Sequence, residues 1–266
     1  MTIDQDNIVR TEIIDGIGYI TMNRPEVHNA FHADMIRQLN QAFVEMGAND
    51  LVRAVVLKGN GKSFCAGGDL NWMRASADYS YDENVADAME LGWLFKTINT
   101  LPKTTIAMVH GNAFGGGVGL TASCDIAIAA SDTKFCLSEV RIGLIPSVIA
   151  PYVLTAIGER QGRRYFMTAE QFSGDKAREI GLVHEAVAAD DLEHEVGKII
   201  TSLKQGAPGA QAMGKELIQE ISQKEIDDDV VRHTAKRIAE ARARDEGKEG
   251  LSAFLNKEEP SWRKIA

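Results

Sequence analysis

Two glycine-rich stretches, Phe64-Cys65-Ala66-Gly67-Gly68-Asp69-Leu70 and Gly111-Asn112-Ala113-Phe114-Gly115-Gly116-Gly117-Val118-Gly119, each follow an apolar run that reads as a strand. Glycine loses more freedom on folding than any other residue, so a triplet such as Gly115-Gly116-Gly117 needs a local reason. Close backbone packing is one. The other is a ligand: two side-chain-free loops brought face to face would offer one backbone N–H each to a developing oxyanion, activating a carbonyl without a metal.

The pattern around these stretches is that of an α/β protein. Ile17 to Met22 is strand-like and closes at Asn23-Arg24-Pro25, after which Met35, Ile36, Leu39, Phe43 and Met46 recur at helical spacing. Val52 to Leu57 is a further strand, so the segment predicts a βαβ unit with a right-handed crossover. Asp82 to Asn99 reads as a helix, Thr105 to Val109 as a strand, the segment after Gly117 as a short apolar helix, and Ile126 to Ala129 as another strand. Continuous rather than alternating apolar strands predict a mostly parallel sheet covered on both faces. From about Ala150 onward helical periodicity dominates, with Val183 to Val187 the best remaining strand. Asp190–Leu203, Pro208–Ile221 and a charge-rich Asp229–Glu246 read as helices.

Composition narrows the partners. The 266 residues are 44% hydrophobic and 25% charged, an ordinary folded protein, and the net charge of −9 argues against nucleic acid, which needs a basic stripe. No apolar run spans a bilayer, and Met1 to Asp6 lacks the regions of a secretory leader, so a cytoplasmic protein away from membranes is expected. Cys65, Cys124 and Cys136 are odd in number and lie in apolar surroundings, which predicts buried thiols rather than a disulfide framework.

Three motif readings fail on their context. Gly117-Val118-Gly119-Leu120-Thr121-Ala122 fits a loose dinucleotide fingerprint, but it lies too far beyond its strand and leaves Cys65 to Leu70 unexplained. His28 and His32 are four apart without the glutamate of a metalloprotease motif, and Asp227-Asp228-Asp229 suits helix capping better than a calcium loop. No metal site and no cofactor are expected.

Four ordered blocks, Asn23-Arg24-Pro25 with Asn29-Ala30, Phe64 to Leu70, Gly111 to Asp125, and Ser138 to Pro146, resemble the enoyl-CoA hydratase/isomerase (crotonase) superfamily over essentially the whole chain. The resemblance implies a crotonase-like spiral of ββα repeats over residues 1–200, a helical C-terminal trimerisation region over 201–266, and homo-trimers or hexamers that bind acyl-CoA. Carried over residue by residue, it implies oxyanion-hole N–H groups at Gly68 and Gly116. It also implies coenzyme A and substrate contacts at Arg24, Ala30, Ala66, Asp69 and Leu70, with Phe254 and Lys257 contributing from the C-terminal region, from a neighbouring subunit where the assembly requires it.

Family hydratases of the best-known type carry two glutamates, one two residues beyond the glycine triplet and one twenty later; this chain has Gly119 and Glu139 there. A single glutamate also fits the superfamily's isomerases, where one base moves a proton between carbons. The blocks Asp69 to Arg74, Gly117 to Leu120 and Phe135 to Arg141 resemble hydratases of branched glutaconyl thioesters, which also have glycine at the first position. The favoured expectation is therefore a lyase hydrating 3-methylglutaconyl-CoA or a related glutaconyl-CoA in leucine or acyclic terpene catabolism, with Glu139 acting on water. An enoyl-CoA isomerase and a non-catalytic acyl-CoA-binding homologue are the alternatives. Arg74, Arg141 and Arg163 are candidate partners for a distal carboxylate. Ser147 to Pro151 replaces the family's glycine-rich continuation, which predicts a reshaped acyl pocket.

Overall fold

The computed structural model describes residues 8–264; the segment read for a leader, Met1 to Asp6, lies outside them. The chain builds a ββα unit three times. Each first strand, β3 (Ala54–Gly59), β4 (Thr104–Val109) and β6 (Ile126–Ala130), enters one large sheet. Each second strand enters a small one, as Cys65 bridged to Ala113, β5 (Asn112–Phe114) and β7 (Lys134–Cys136). The helices that close the units are α2 (Leu70–Ser76), α4 (Gly116–Ser123) and, after a 3-10 turn at Glu139–Ile142, α5 (Ala150–Thr168).

The large sheet has six strands in the order β1-β2-β3-β4-β6-β9, opened by β1 (Val9–Ile14) and β2 (Ile17–Met22) and closed by β9 (Glu185–Val187). Only β1 runs antiparallel, joined to β2 through the left-handed turn at Asp15-Gly16. The continuous apolar runs are explained by burial on both faces. One face packs under α1 (Ala33–Ala48) and α3 (Tyr81–Thr100) through Ile20, Leu57, Leu39, Phe43 and Phe95. The other, with Ile17, Val56, Ile106 and Ile128, is covered by Leu192 and Val196 of α7 (Leu192–Gln205). Each such side chain fully buried contributes about 1.5–3 kcal/mol. The small sheet, β5-β7-β8, ends with β8 (Phe172–Ser173) and leads through α6 (Gly174–Glu179) to β9.

The C-terminal layer comprises α8 (Pro208–Ile221), α9 (Asp228–Ala243) and α10 (Asp245–Asn256). The expected division at 200/201 falls inside α7. Sequence periodicity reads Asp229–Glu246 as one helix; the structure breaks it at Arg244, whose backbone is extended (φ −68°, ψ 154°). Gly247 makes the reversal feasible, because a Cβ there would lie 2.1 Å from the Ala241 carbonyl oxygen. The acidic triplet works as a cap, Asp227 accepting from the Val230 N–H at 2.9 Å.

Candidate active site

The three second strands deliver their C-terminal ends side by side, the position where open parallel sheets bind ligands. Cys65 leads into Gly67-Gly68, β5 into Gly115-Gly116, and β7 into Glu139. The rungs are short: Cys65 N–H donates to Asn112 O at 3.0 Å, Phe114 N–H to Cys65 O at 2.9 Å, and Gly115 N–H to Cys136 O at 2.8 Å. The two glycine loops therefore meet at Gly67 and Gly115, where a Cβ on Gly115 would stand 3.9 Å from Gly67 Cα.

Both contact glycines hold conformations closed to other residues, Gly67 at φ +91° and Gly115 at φ +50°, ψ −115°. Gly115 precedes α4 with no side-chain cap; Val118 N–H turns back to Gly115 O, while the N–H groups of Gly116 and Gly117 have no backbone acceptor among the described residues, and the helix dipole adds favourable potential for an anion. Gly116 N–H and Gly68 N–H donate to no acceptor among the described residues. Gly68 is held from both sides instead: Phe31 N–H donates to Gly67 O and Asp69 N–H to Phe31 O, each at 2.7 Å.

Glu139 lies against this pair. A Cβ on Gly115 would be 3.1 Å from Glu139 Oε1, while Oε2 is buried without a hydrogen-bond partner among the described residues. Burial pushes the Glu139 carboxyl above the ordinary glutamate range, and its own backbone N–H opposes this only in part. A carboxylate left unpaired and desolvated is a stronger base than one in water.

Gly119, where the resemblance places a second glutamate, has no room for a side chain. A Cβ on Gly119 would meet Ile149 Cγ2 at 2.2 Å and Phe95 Cζ at 2.9 Å, and both side chains are buried. Ser123 and Thr121, the polar side chains of the same helix, donate back to the carbonyls of Gly119 and Gly117. Within Ser147 to Pro151, Ile149 fills this space and Val148 sits against Gly92 of α3.

Arg24, Ala30 and Asp69 come together as one network. The Arg24 guanidinium donates to Ala30 O at 2.8 Å and to Asp69 Oδ2 at 3.0 Å, and Asp69 Oδ1 caps α2 through the N–H groups of Asn71 and Trp72. Burial pushes the Asp69 carboxyl up, but hydrogen bonds from Asn71, Arg24 and Trp72 outweigh it and leave it below its usual value. Ala66, half-buried, donates its N–H to His28 O, and Leu70 is 74% exposed at the start of α2. Sequence reading passed over Asn29, which is fully buried. Its side chain donates to Asn60 O and Ser63 O and accepts from Arg24 N–H, locking the turn at 24–30 onto the loop at 60–66. Two consecutive left-handed residues, His28 and Asn29, form this turn, and asparagine's tolerance of that conformation was the available signal.

The remaining candidates make contacts of their own. Phe254 (81% exposed) and Lys257 sit at the end of α10, which packs on α8 and α9. Arg163 pairs with Glu159 on the surface of α5, Arg141 donates to Ala169 O at 2.5 Å, and Arg74 donates to Asn71 Oδ1 at 3.1 Å on α2. His32 caps α1 by accepting from Met35 N–H, and His28 Nδ1 meets Ser63 Oγ at 3.1 Å. All three cysteines are buried, with desolvation pushing Cys65 and Cys124 up to about 12. Among the described residues no helix is long and apolar enough to cross a membrane.

Residues 12–264 match the family described as enoyl-CoA hydratase/isomerase. The chain is 35% identical over 251 residues to enoyl-CoA hydratase ACTT6 of Alternaria alternata, covering 92% of this chain and 81% of that protein. It is 33% identical over 205 residues to a hydroxycinnamoyl-CoA hydratase-lyase of Pseudomonas fluorescens, covering 75% and 74%. The crystal structure of an enoyl-CoA hydratase from Shewanella pealeana superimposes with a TM-score of 0.94 at 41% identity, over 97% of each chain.

Proposed function

The chain belongs to the enoyl-CoA hydratase/isomerase (crotonase) family, and from that premise we propose that it adds water to a branched enoyl thioester, 3-methylglutaconyl-CoA or a related glutaconyl-CoA, using Glu139 as its single acid–base group. One observation carries the proposal: a desolvated carboxylate with one oxygen, Oε2, lacking a hydrogen-bond partner among the described residues lies against two glycine loops whose N–H groups at Gly68 and Gly116 have no acceptor there, while the space at Gly119 is occupied by Ile149 and Phe95.

The thioester carbonyl oxygen sits between the Gly68 and Gly116 N–H groups, which stabilise the enolate as charge develops. Glu139 takes a proton from water, the hydroxyl oxygen bonds to the β-carbon, and the electrons of the double bond move onto the carbonyl oxygen. The carboxyl then returns its proton to the α-carbon, so one group serves as base and acid in turn. Raised basicity suits the first half of this cycle, and the far more basic enolate carbon draws the proton back in the second. Coenzyme A enters as part of the substrate, its entrance bordered by the segments carrying Arg24, Ala30, Ala66, Asp69 and Leu70.

Arg74, on the helix that starts just beyond Gly68, is the candidate partner for the distal carboxylate. Phe254 and Lys257 reach the coenzyme from a neighbouring subunit of a trimer or hexamer, a role supported by the exposed apolar side chains Ile226, Leu251 and Leu255 in the C-terminal region. The enzyme works in the cytoplasm, in the breakdown of leucine or acyclic terpenes.

Isomerisation is the second reading, favoured by the same apolar closure at Gly119, which leaves one carboxylate for one proton. Purified protein is given glutaconyl-type and 3-enoyl thioesters in water labelled with oxygen-18. Label in a 3-hydroxyacyl product supports hydration; rapid double-bond migration without label overturns it in favour of the isomerase.

A further inference from the structure

Phe31 touches both proposed donors. Its main chain straddles Gly68, donating to Gly67 O and accepting from Asp69 N–H, both at 2.7 Å. A residue straddled in this way in a parallel bridge turns its own N–H to the opposite side, which is why Gly68 has its N–H to spare. The ring of the same phenylalanine lies on Gly116: a Cβ there would fall 2.5 Å from Cε2 and 2.8 Å from Cδ2. Phe31 is 1% exposed, and the turn that delivers it is fixed by buried Asn29 and by Arg24, whose guanidinium is shared between Ala30 O and Asp69.

We infer that Phe31 is a positioning residue that sets the separation of the two N–H donors, its backbone holding the Gly68 loop while its ring limits how closely the N-terminus of α4 approaches. The inference rests on reading Gly68 and Gly116 as the oxyanion hole. The three atoms nearest the Cβ position on Gly116 all belong to the Phe31 ring. Glycine at 116 is thereby explained without invoking its N–H: only a residue lacking Cβ lets a flat ring rest against the helix start. The geometry joins two loops that are distant in sequence to one rigid side chain, which has a single flat face and few rotamers to lose.

Phe31→Leu removes the ring and leaves the backbone bonds, which no side chain supplies. Phe43→Leu makes the same change in the buried face of α1, within the same core, and serves as the control. Three quantities are read: turnover of whichever of the glutaconyl-type and 3-enoyl thioesters the wild type converts, affinity for free coenzyme A, and the carbonyl stretch of that substrate's bound saturated analogue labelled with carbon-13 at the thioester carbon. A donor misplaced by about an ångström lowers turnover by ten- to a hundred-fold, so Phe31→Leu is expected to lose at least about tenfold in kcat with KM within about twofold of wild type. Its carbonyl band moves back toward the free value, while coenzyme A affinity is kept. Phe43→Leu keeps kcat and the shifted band although it melts earlier.

A wild-type carbonyl band that is already unshifted overturns the oxyanion reading and this inference with it. A band that is shifted in wild type and equally shifted in Phe31→Leu, with kcat retained, overturns the positioning role alone. Equal loss of kcat in Phe43→Leu also overturns it, because the effect is then one of general stability. Should Phe31→Leu fail to fold, Phe31→Met, closer in volume but flexible, gives the same three readouts.

Discussion

Gly119 stands where the family resemblance implies a second acid–base glutamate, and its surroundings make a quantitative prediction. In a helix interior alanine is better than glycine by about 1 kcal/mol, so propensity alone would have Gly119→Ala stabilise the protein. Packing says otherwise. The new methyl would lie 2.2 Å from Ile149 Cγ2 and 2.9 Å from Phe95 Cζ, with Ile149 3% and Phe95 0% exposed. Carbon atoms rest at roughly 3.5–4 Å, so a buried neighbour must move by more than about an ångström. Overpacking of this kind costs about 1–3 kcal/mol, and the depth of the overlap puts it near the upper end, for a net loss of about 2 kcal/mol. Ile149→Ala alone leaves a cavity and costs about 2–5 kcal/mol. In the double variant each change relieves the other, giving a coupling of about 1–3 kcal/mol. Urea unfolding of the four proteins at one fixed concentration measures the cycle. A Gly119→Ala protein as stable as wild type, or strict additivity, would refute the packing argument. Its functional corollary is that Gly119→Glu adds an unpaired buried charge to the overlap and so loses stability without gaining a second catalytic carboxylate.

Glu139→Gln is expected to lower kcat by at least about 100-fold while leaving coenzyme A binding intact, as steady-state kinetics and a direct binding titration will report. Because burial raises the Glu139 carboxyl above the 4.5 of an ordinary glutamate, kcat/KM should rise with pH through a midpoint above that value. The same shift has a stability sign: an acid whose folded pKa is raised supports the fold below its unfolded pKa and ceases to as pH rises through the folded one. Glu139→Gln should therefore be more stable than wild type near pH 7, with the gain vanishing toward pH 4 in thermal scans. Asp69 has the opposite shift, so its support is present above the unfolded carboxylate pKa and fades in acid; Asp69→Asn keeps the helix cap, loses the Arg24 pair, and should cost about 1.5–3 kcal/mol at neutral pH. Cys65 and Cys124, pushed up to about 12, should resist a thiol reagent in the native protein and react only on unfolding.

The strands of the large sheet were legible because burial on both faces writes itself as unbroken apolar runs, as in Val55 to Leu57 and Ile106 to Val109. Strand β1 was not, since its residues after Val9 are exposed and carry no such signal. The glycine stretches pointed to two loops that meet, and the structure brings them together at Gly67 and Gly115. What the site contains beyond them depends on contacts between distant segments. Arg24 finds Asp69 forty-five residues away, and Gly119 is closed by Ile149 and Phe95, thirty and twenty-four residues off in opposite directions. Phe31, next to a recognised block, reads as one more core aromatic until its ring is seen against Gly116. Arg163 was misleading for a local reason, because Glu159 four residues earlier on the same helix already holds it.

The parallel ladder between β5 and β7, with Phe114 opposite Cys136 and Gly115 bonded to the Cys136 carbonyl, acts as a ruler between the second glycine loop and Glu139, the proposed carbonyl-binding loop and base. Neighbouring strands in any sheet lie about 4.7–4.9 Å apart, a spacing that main-chain hydrogen bonds set and side-chain exchange does not alter. Residues 143–149 and the α2 and α3 helices belong to other segments. Under the proposed function, substitutions there change which thioester is accepted, by size, branching or charge, while the strand spacing stays fixed. One framework of this kind can acquire new substrates while its reaction geometry stays put.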